Sequence, residues 1–274
     1  MRKSKITLGG VLTAACLHSA FAMQQDMNSK NPVDGRDPNA YSDGYTLRSG
    51  EYALPSHQTI KLGDSNNYKS IRFDRLERSR NNAGDLSTAY DFQGWFGNDH
   101  NRLVLKAEGD YSKGKFQEAR TEALWGHPIS SFFDSQVGVR NDSGVGPNRN
   151  WLAFGVEGLA PYWFDVQATV YLGTEGRSAA RASAEYDLLL TQHLILQPRF
   201  EMNYYGKQDT EREIGSGLSD GLIGLRLRYE ITRQFAPYVG IERVERFGQT
   251  ADMLAAGGKL TGETKVVAGV RMWF

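Results

Sequence analysis

The sequence predicts an all-β fold: a transmembrane antiparallel β-barrel of about twelve strands, with a mostly disordered N-terminal periplasmic extension. Three observations carry this. From about Ser70 to Phe274, apolar and polar residues alternate with period 2, and the polar positions hold many full charges, as a wet interior behind an apolar outer wall requires. The alternating segments run near the roughly 9–11 residues that cross a bilayer with tilt. Alternate connections are short and the others often longer, and the chain closes on an alternating strand ending in Phe274, an ending typical of outer-membrane barrels.

Composition agrees and excludes other classes. The 274 residues hold 32 Lys+Arg against 32 Asp+Glu, so no charge excess calls for nucleic acid as a partner. Mean hydropathy is −0.50, and no apolar run approaches the roughly 18 residues of a membrane helix. Thirty Gly, 13 Phe, 13 Tyr and 5 Trp suit a sheet protein with tight turns. The single Cys, Cys16, falls in a segment expected to be removed, which leaves no disulfide and no thiolate.

Residues 1–22 read as a cleaved signal peptide. Arg2, Lys3 and Lys5 precede the apolar stretch Ile6 to Leu17, and Ala20-Phe21-Ala22 is a small-x-small cleavage site. Residues 23–68, rich in Asn, Asp, Ser, Gly and Pro without a sustained apolar period, read as a flexible periplasmic extension. The barrel is expected over 69–274. Its strands are placed at 70–79, 88–97, 102–112, 116–126, 132–142, 149–159, 162–173, 178–191, 194–206, 218–231, 237–248 and 264–274.

Each face can be read from the alternation. In the ninth strand Leu194, Leu196, Pro198, Phe200, Met202 and Tyr204 oppose Gln197, Arg199, Glu201 and Asn203. In the tenth, Ile223, Leu225, Leu227, Tyr229 and Ile231 oppose Arg226, Arg228 and Glu230. The even strand count puts both termini in the periplasm. Asp91, Glu108, Glu157, Asp165, Glu185, Arg199, Glu201, Arg226, Arg228, Glu230 and Glu242 are then lumen-lining, with Arg102, Arg140 and Arg271. Such a lining is either a narrow cation path or a lattice of salt bridges that plugs the barrel.

Several blocks carry a family resemblance. They include Gln93-Gly94-Trp95-Phe96-Gly97-Asn98-Asp99, Gly158-Leu159-Ala160-Pro161-Tyr162-Trp163-Phe164 and Glu185-Tyr186-Asp187-Leu188-Leu189-Leu190-Thr191-Gln192. Gly224-Leu225-Arg226-Leu227-Arg228-Tyr229-Glu230-Ile231 and Phe235-Ala236-Pro237-Tyr238 extend the match, which runs from about Phe73 to Phe274. Together they resemble copper resistance protein B, the CopB/PcoB outer-membrane proteins. The resemblance implies an outer-membrane barrel that binds copper or passes it across the membrane, with copper as ligand or cargo. It also implies lipid contact and a periplasmic copper oxidase or copper carrier as partner. Many members carry a long Met- and His-rich segment before the barrel; here that region has only Met23, Met27 and His57.

Soft thioethers suit Cu(I), and imidazole suits either oxidation state. The candidate copper ligands are therefore Met23, Met27, His57, His100, His127 and His193, all expected on the periplasmic side. The alternative is a passive or structural barrel with no direct copper site. No enzyme is expected. Gly217-Leu218-Ser219-Asp220-Gly221 fits G-x-S-x-G, but it leads into another strand rather than a helix, and the histidines lie at the far rim.

Overall fold

The computed structural model describes residues 66–274. Twelve antiparallel strands follow one another: β1 Tyr68–Asn81, β2 Leu86–Gly97, β3 Arg102–Ser112, β4 Lys115–Pro128, β5 Phe133–Gly144 and β6 Arg149–Ala160. Then come β7 Phe164–Gly173, β8 Ser178–Glu185 with a continuation at Leu188–Leu189, β9 Leu194–Tyr205, β10 Gly217–Tyr229, β11 Phe235–Arg246 and β12 Gly262–Trp273. Each pairs with its sequence neighbours, and β1 pairs with β12, so the sheet closes and leaves no free edge around the wall. Phe274 lies in that seam. Its N–H donates to the Ile71 carbonyl at 2.8 Å, and the Ile71 N–H donates back at 3.0 Å.

Alternation turns the sheet inside out relative to a water-soluble fold. Among the described residues, sixteen polar or charged side chains are buried against ten apolar ones. The large apolar residues instead cover the outside: Leu103, Leu105, Val137, Val139, Leu152, Phe154, Val170, Ile223, Val239, Ile241 and Val266 are all exposed. That wall is what lipid tails cover.

The start of β1 and Phe274 lie at one end, here the terminal end, with connections 98–101, 129–132, 161–163, 190–193 and 230–234. At the opposite, loop end only 206–216 and 247–261 are long; the others have two to four residues. The shortest, Lys113-Gly114, adopts φ +50° and +80°, the left-handed pair that a two-residue hairpin needs. Three local features depart from the expected strands. Residues 161–163 form a turn and not the start of β7. β8 is interrupted at Tyr186–Asp187. The connection after β11 contains helix α1, Gly248–Ala256.

Candidate functional site

The lumen is built by the inward face of every strand. β1 contributes through a bulge: Asp74 and Arg75 together oppose Arg271 of β12, so two consecutive residues face inward. Arg72, Asp74, Arg75 and Glu77 thereby all enter the interior, as do Lys106, Arg120, Glu122, Asp142, Arg181 and Asp187. Of these ten, only Asp187 was placed on an inward face from the sequence, opposite Tyr186 and Leu188. The available signal in β1 was the shift of charge from positions 72 and 74 to 75 and 77, which marks one extra residue.

The pairings form three groups. At mid-height Glu108 of β3 is a hub. Arg120 lies at 2.7 Å from it, Arg181 of β8 at 2.5 Å and Arg75 of β1 at 3.8 Å. Arg75 also grips Asp91 at 3.0 Å, Arg181 reaches Glu201 at 2.8 Å, and Arg199 joins Glu201 at 2.8 Å and Glu185 at 3.3 Å. β3 and β8 stand five strands apart, so the Glu108–Arg181 bond crosses the lumen. Beside it Arg226 donates to Glu77 at 3.1 Å and to Glu242 at 2.8 Å, and the Tyr238 hydroxyl donates to Glu77 at 2.9 Å. Nearer the terminal end, Lys106 donates to Glu157 at 2.5 Å, Arg228 to Asp187 at 2.7 Å, Arg271 meets Asp74 at 3.2 Å, and Arg102 meets Asp134 at 2.8 Å. Arg140 grips Asp142 at 2.6 Å and lies over the Tyr171 ring at 4.3 Å.

These groups divide the interior. A cavity of about 280 Å³ on the terminal side is lined by Asp91, Glu157, Asp165, Glu185 and Arg199 among others. A second of about 330 Å³ on the loop side includes Glu201 and Glu242. Glu108, Arg120 and Arg181 line both, so they are the partition. Each cavity has eight carboxylates against six basic groups, an excess that favours cations over anions. Glu230 sits apart, in a groove at the terminal rim with His193 and Arg233.

The rim histidines fall into two places. His127 Nδ1 donates to the His100 carbonyl at 2.7 Å, which joins two neighbouring turns. The His127 ring also lies 5.7 Å from that of Trp125. His193 Nδ1 donates to the Glu230 carbonyl at 3.0 Å, on another turn. A carbonyl only accepts, so both rings carry a proton on Nδ1. Ligating histidines are commonly held this way. Among the described residues, no three His, Cys, Asp or Glu side chains are gathered as a metal-holding group. Met23, Met27 and His57 lie outside the described residues.

The loop end is covered by 206–216 and α1. Arg149 at the start of β6 donates to Asp209 at 2.7 Å and to Glu211 at 2.7 Å, and Arg212 donates to the Pro147 carbonyl at 2.9 Å. Those hydrogen bonds from Arg149 hold the Asp209 carboxyl below its ordinary range. Thr250 of α1 accepts from Gly215 N–H at 2.9 Å and shares a 3.0 Å hydrogen bond with Ser219. The Ser219 hydroxyl is thus engaged at the loop end, opposite the histidines.

A closed antiparallel barrel with an apolar wall and a charged interior defines the class, an outer-membrane β-barrel. Among solved structures the chain is similar to the KdgM porin (14% identity, 74% of this chain and 98% of that one, TM-score 0.48). It is also similar to outer membrane phospholipase A from Escherichia coli (10% identity, 73% and 92%, TM-score 0.47). Residues 67–274 match the family described as copper resistance protein B precursor (CopB), and the chain belongs to that family. It is 42% identical over 257 residues to a copper resistance protein B homolog of Pseudomonas syringae pv. tomato, covering 94% of this chain and 86% of that protein. It is 40% identical over 205 residues to copper resistance protein B of Escherichia coli, covering 74% and 69%. Its role is therefore in copper resistance, at the outer membrane.

Proposed function

We propose that the chain, exported by a cleaved signal peptide, binds copper at a periplasmic rim and passes it to or from a periplasmic copper oxidase or carrier, with no catalytic step of its own. The reading takes the terminal end as periplasmic, because the short turns, the start of β1 and Phe274 lie there. The observation that carries it is the pair of rim imidazoles, His127 and His193, each with Nδ1 tied to a backbone carbonyl, which leaves Nε2 as the ring nitrogen for a metal. Neutral imidazole held in this tautomer is a ready ligand for either copper oxidation state. His100, His57, Met23 and Met27 complete the candidate donors, and the carboxylate excess of the terminal cavity supplies cation attraction behind them.

A second reading, a passive barrel that serves copper resistance through its partners alone, draws on the Glu108 partition, which crosses the lumen with ion pairs. One experiment separates the two. Cu(I) and Cu(II) binding is measured on the detergent-purified mature chain and on its His57/His100/His127/His193→Ala variant. Binding lost in the variant supports the rim site. Binding that survives moves the ligands to the lumen carboxylates or to Met23 and Met27, and no binding by either form leaves the passive barrel.

A further inference from the structure

The outer wall has an electrostatic asymmetry that copper handling does not use. On β7, β8 and β9 every charged residue of the strand faces the lumen. On the other side of the barrel, Arg78 and Arg80 of β1 are exposed on the outer face, and among the described residues neither makes a hydrogen bond or ion pair. Arg243 of β11 joins them. Its side chain is 60% exposed, and it contacts Glu245 at 2.7 Å and Thr264 at 3.1 Å. β12 lies between and supplies small residues: Arg78 is opposite Ala268, Arg80 opposite Val266, and Arg243 opposite Thr264. The three guanidinium groups therefore flank a low strip of Thr264, Val266 and Ala268.

Their height in the wall is marked by the neighbouring strands. Arg78 pairs with Thr88 of β2, Thr88 with Tyr111 of β3, and Tyr111 with Phe116 of β4. Tyr111 and Phe116 are both exposed and meet edge to face at 5.3 Å. Exposed aromatic rings of this kind mark the headgroup level. Leu76, one position further from the loops on the outer face, is exposed and apolar, so the charges begin where the hydrocarbon ends. An outward arginine costs about 2–4 kcal/mol at the bilayer midplane and little at the interface. Guanidinium forks at that level match phosphate oxygens in geometry and charge.

We propose that Arg78, Arg80 and Arg243 bind the phosphate groups of a lipopolysaccharide molecule seated on β12. The choice of lipopolysaccharide rests on the reading above that the loop end faces outward, because that leaflet carries the phosphorylated glycolipid. Glu245 orients Arg243 and limits the site to headgroups that bring more than one phosphate.

The test is binding of lipopolysaccharide, phosphatidylglycerol and inorganic phosphate to the detergent-purified full chain, read by native mass spectrometry. The wild type is expected to retain lipopolysaccharide in preference to the other two. R78A/R80A/R243A is expected to bind it about a hundredfold more weakly, at roughly a factor of five per arginine. The charge-retaining R78K/R80K/R243K is expected to recover only part of the affinity, since lysine keeps the charge and loses the fork. If the alanine variant does not fold, wild-type binding to lipopolysaccharide before and after enzymatic dephosphorylation decides the point. Equal affinity of wild type and alanine variant, indifference to dephosphorylation, or equal retention of phosphatidylglycerol or free phosphate overturns the proposal. A tag in 247–261 probed on intact cells tests orientation separately, so failure of that reading is distinguishable from failure of the arginine site.

Discussion

Glu77 shows how much one inward side chain can hold. It is buried, accepts two hydrogen bonds from Arg226 Nη2 and one from Tyr238, and shares Arg226 with Glu242. Removing one partner of such a set leaves charge uncompensated away from water. Glu77→Ala is expected to cost about 3–5 kcal/mol, read as a lowered urea midpoint of the lipid-embedded barrel. Gly138 acts by absence. A Cβ there would lie 2.0 Å from the Ala123 carbonyl oxygen, a backbone atom that cannot swing aside. Gly138→Ala is expected to destabilise by about 1–3 kcal/mol in the same assay, by forcing β4 and β5 apart. A change within experimental error would show that this pair of strands is looser than its register suggests.

The strands were legible and their interruptions were not. Period-2 alternation names the inward face of β9 or β10 from a handful of residues, because a one-residue error would put Arg199 or Arg226 in lipid. The same rule fails where the chain adds a residue. Asp74 and Arg75 are neighbours in sequence and share a face, so simple alternation assigns one of them wrongly. Helix α1 was missed for a different reason. It has nine residues, no capping side chain, and is held by Thr250 against Gly215 of another loop and Ser219 of β10. The lumen site was legible as a list of residues but not as pairs, since Glu108 and Arg181 lie 73 positions apart. The loop-end cover is also the element where pH acts. Asp209 titrates below its ordinary value when folded, so its contribution is complete above the unfolded pKa of about 3.9. It is lost as pH falls through the lower, folded value. Amide protection in 206–216, corrected for the intrinsic exchange rate at each pH, is expected to be the same at pH 7 and pH 5 and to fall as pH drops below about 4; Asp209→Asn should remove that step.

For the whole molecule, the partition sets what the barrel can conduct. Glu108 is one carboxylate among three guanidinium groups, Arg75, Arg120 and Arg181. Glu108→Gln removes the anion the three share and leaves Asp91 and Glu201 as the remaining partners of Arg75 and Arg181, so the partition becomes more positive and more attractive to anions. In planar bilayers the wild type is expected to pass little current, and the variant to pass more, with a reversal potential in a KCl gradient shifted toward chloride. Unchanged current and selectivity would mean that the lumen is sealed elsewhere. The two cavities also have a kinetic meaning. Each has room for on the order of ten waters at about 30 Å³ apiece, and Glu108, Arg120 and Arg181 stand between the two. An ion crossing such a barrel would wait in one chamber, exchange partners, and leave from the other. Its flux would level off with concentration as an enzyme's rate does, and changes at the partition would alter a turnover number rather than the width of a hole.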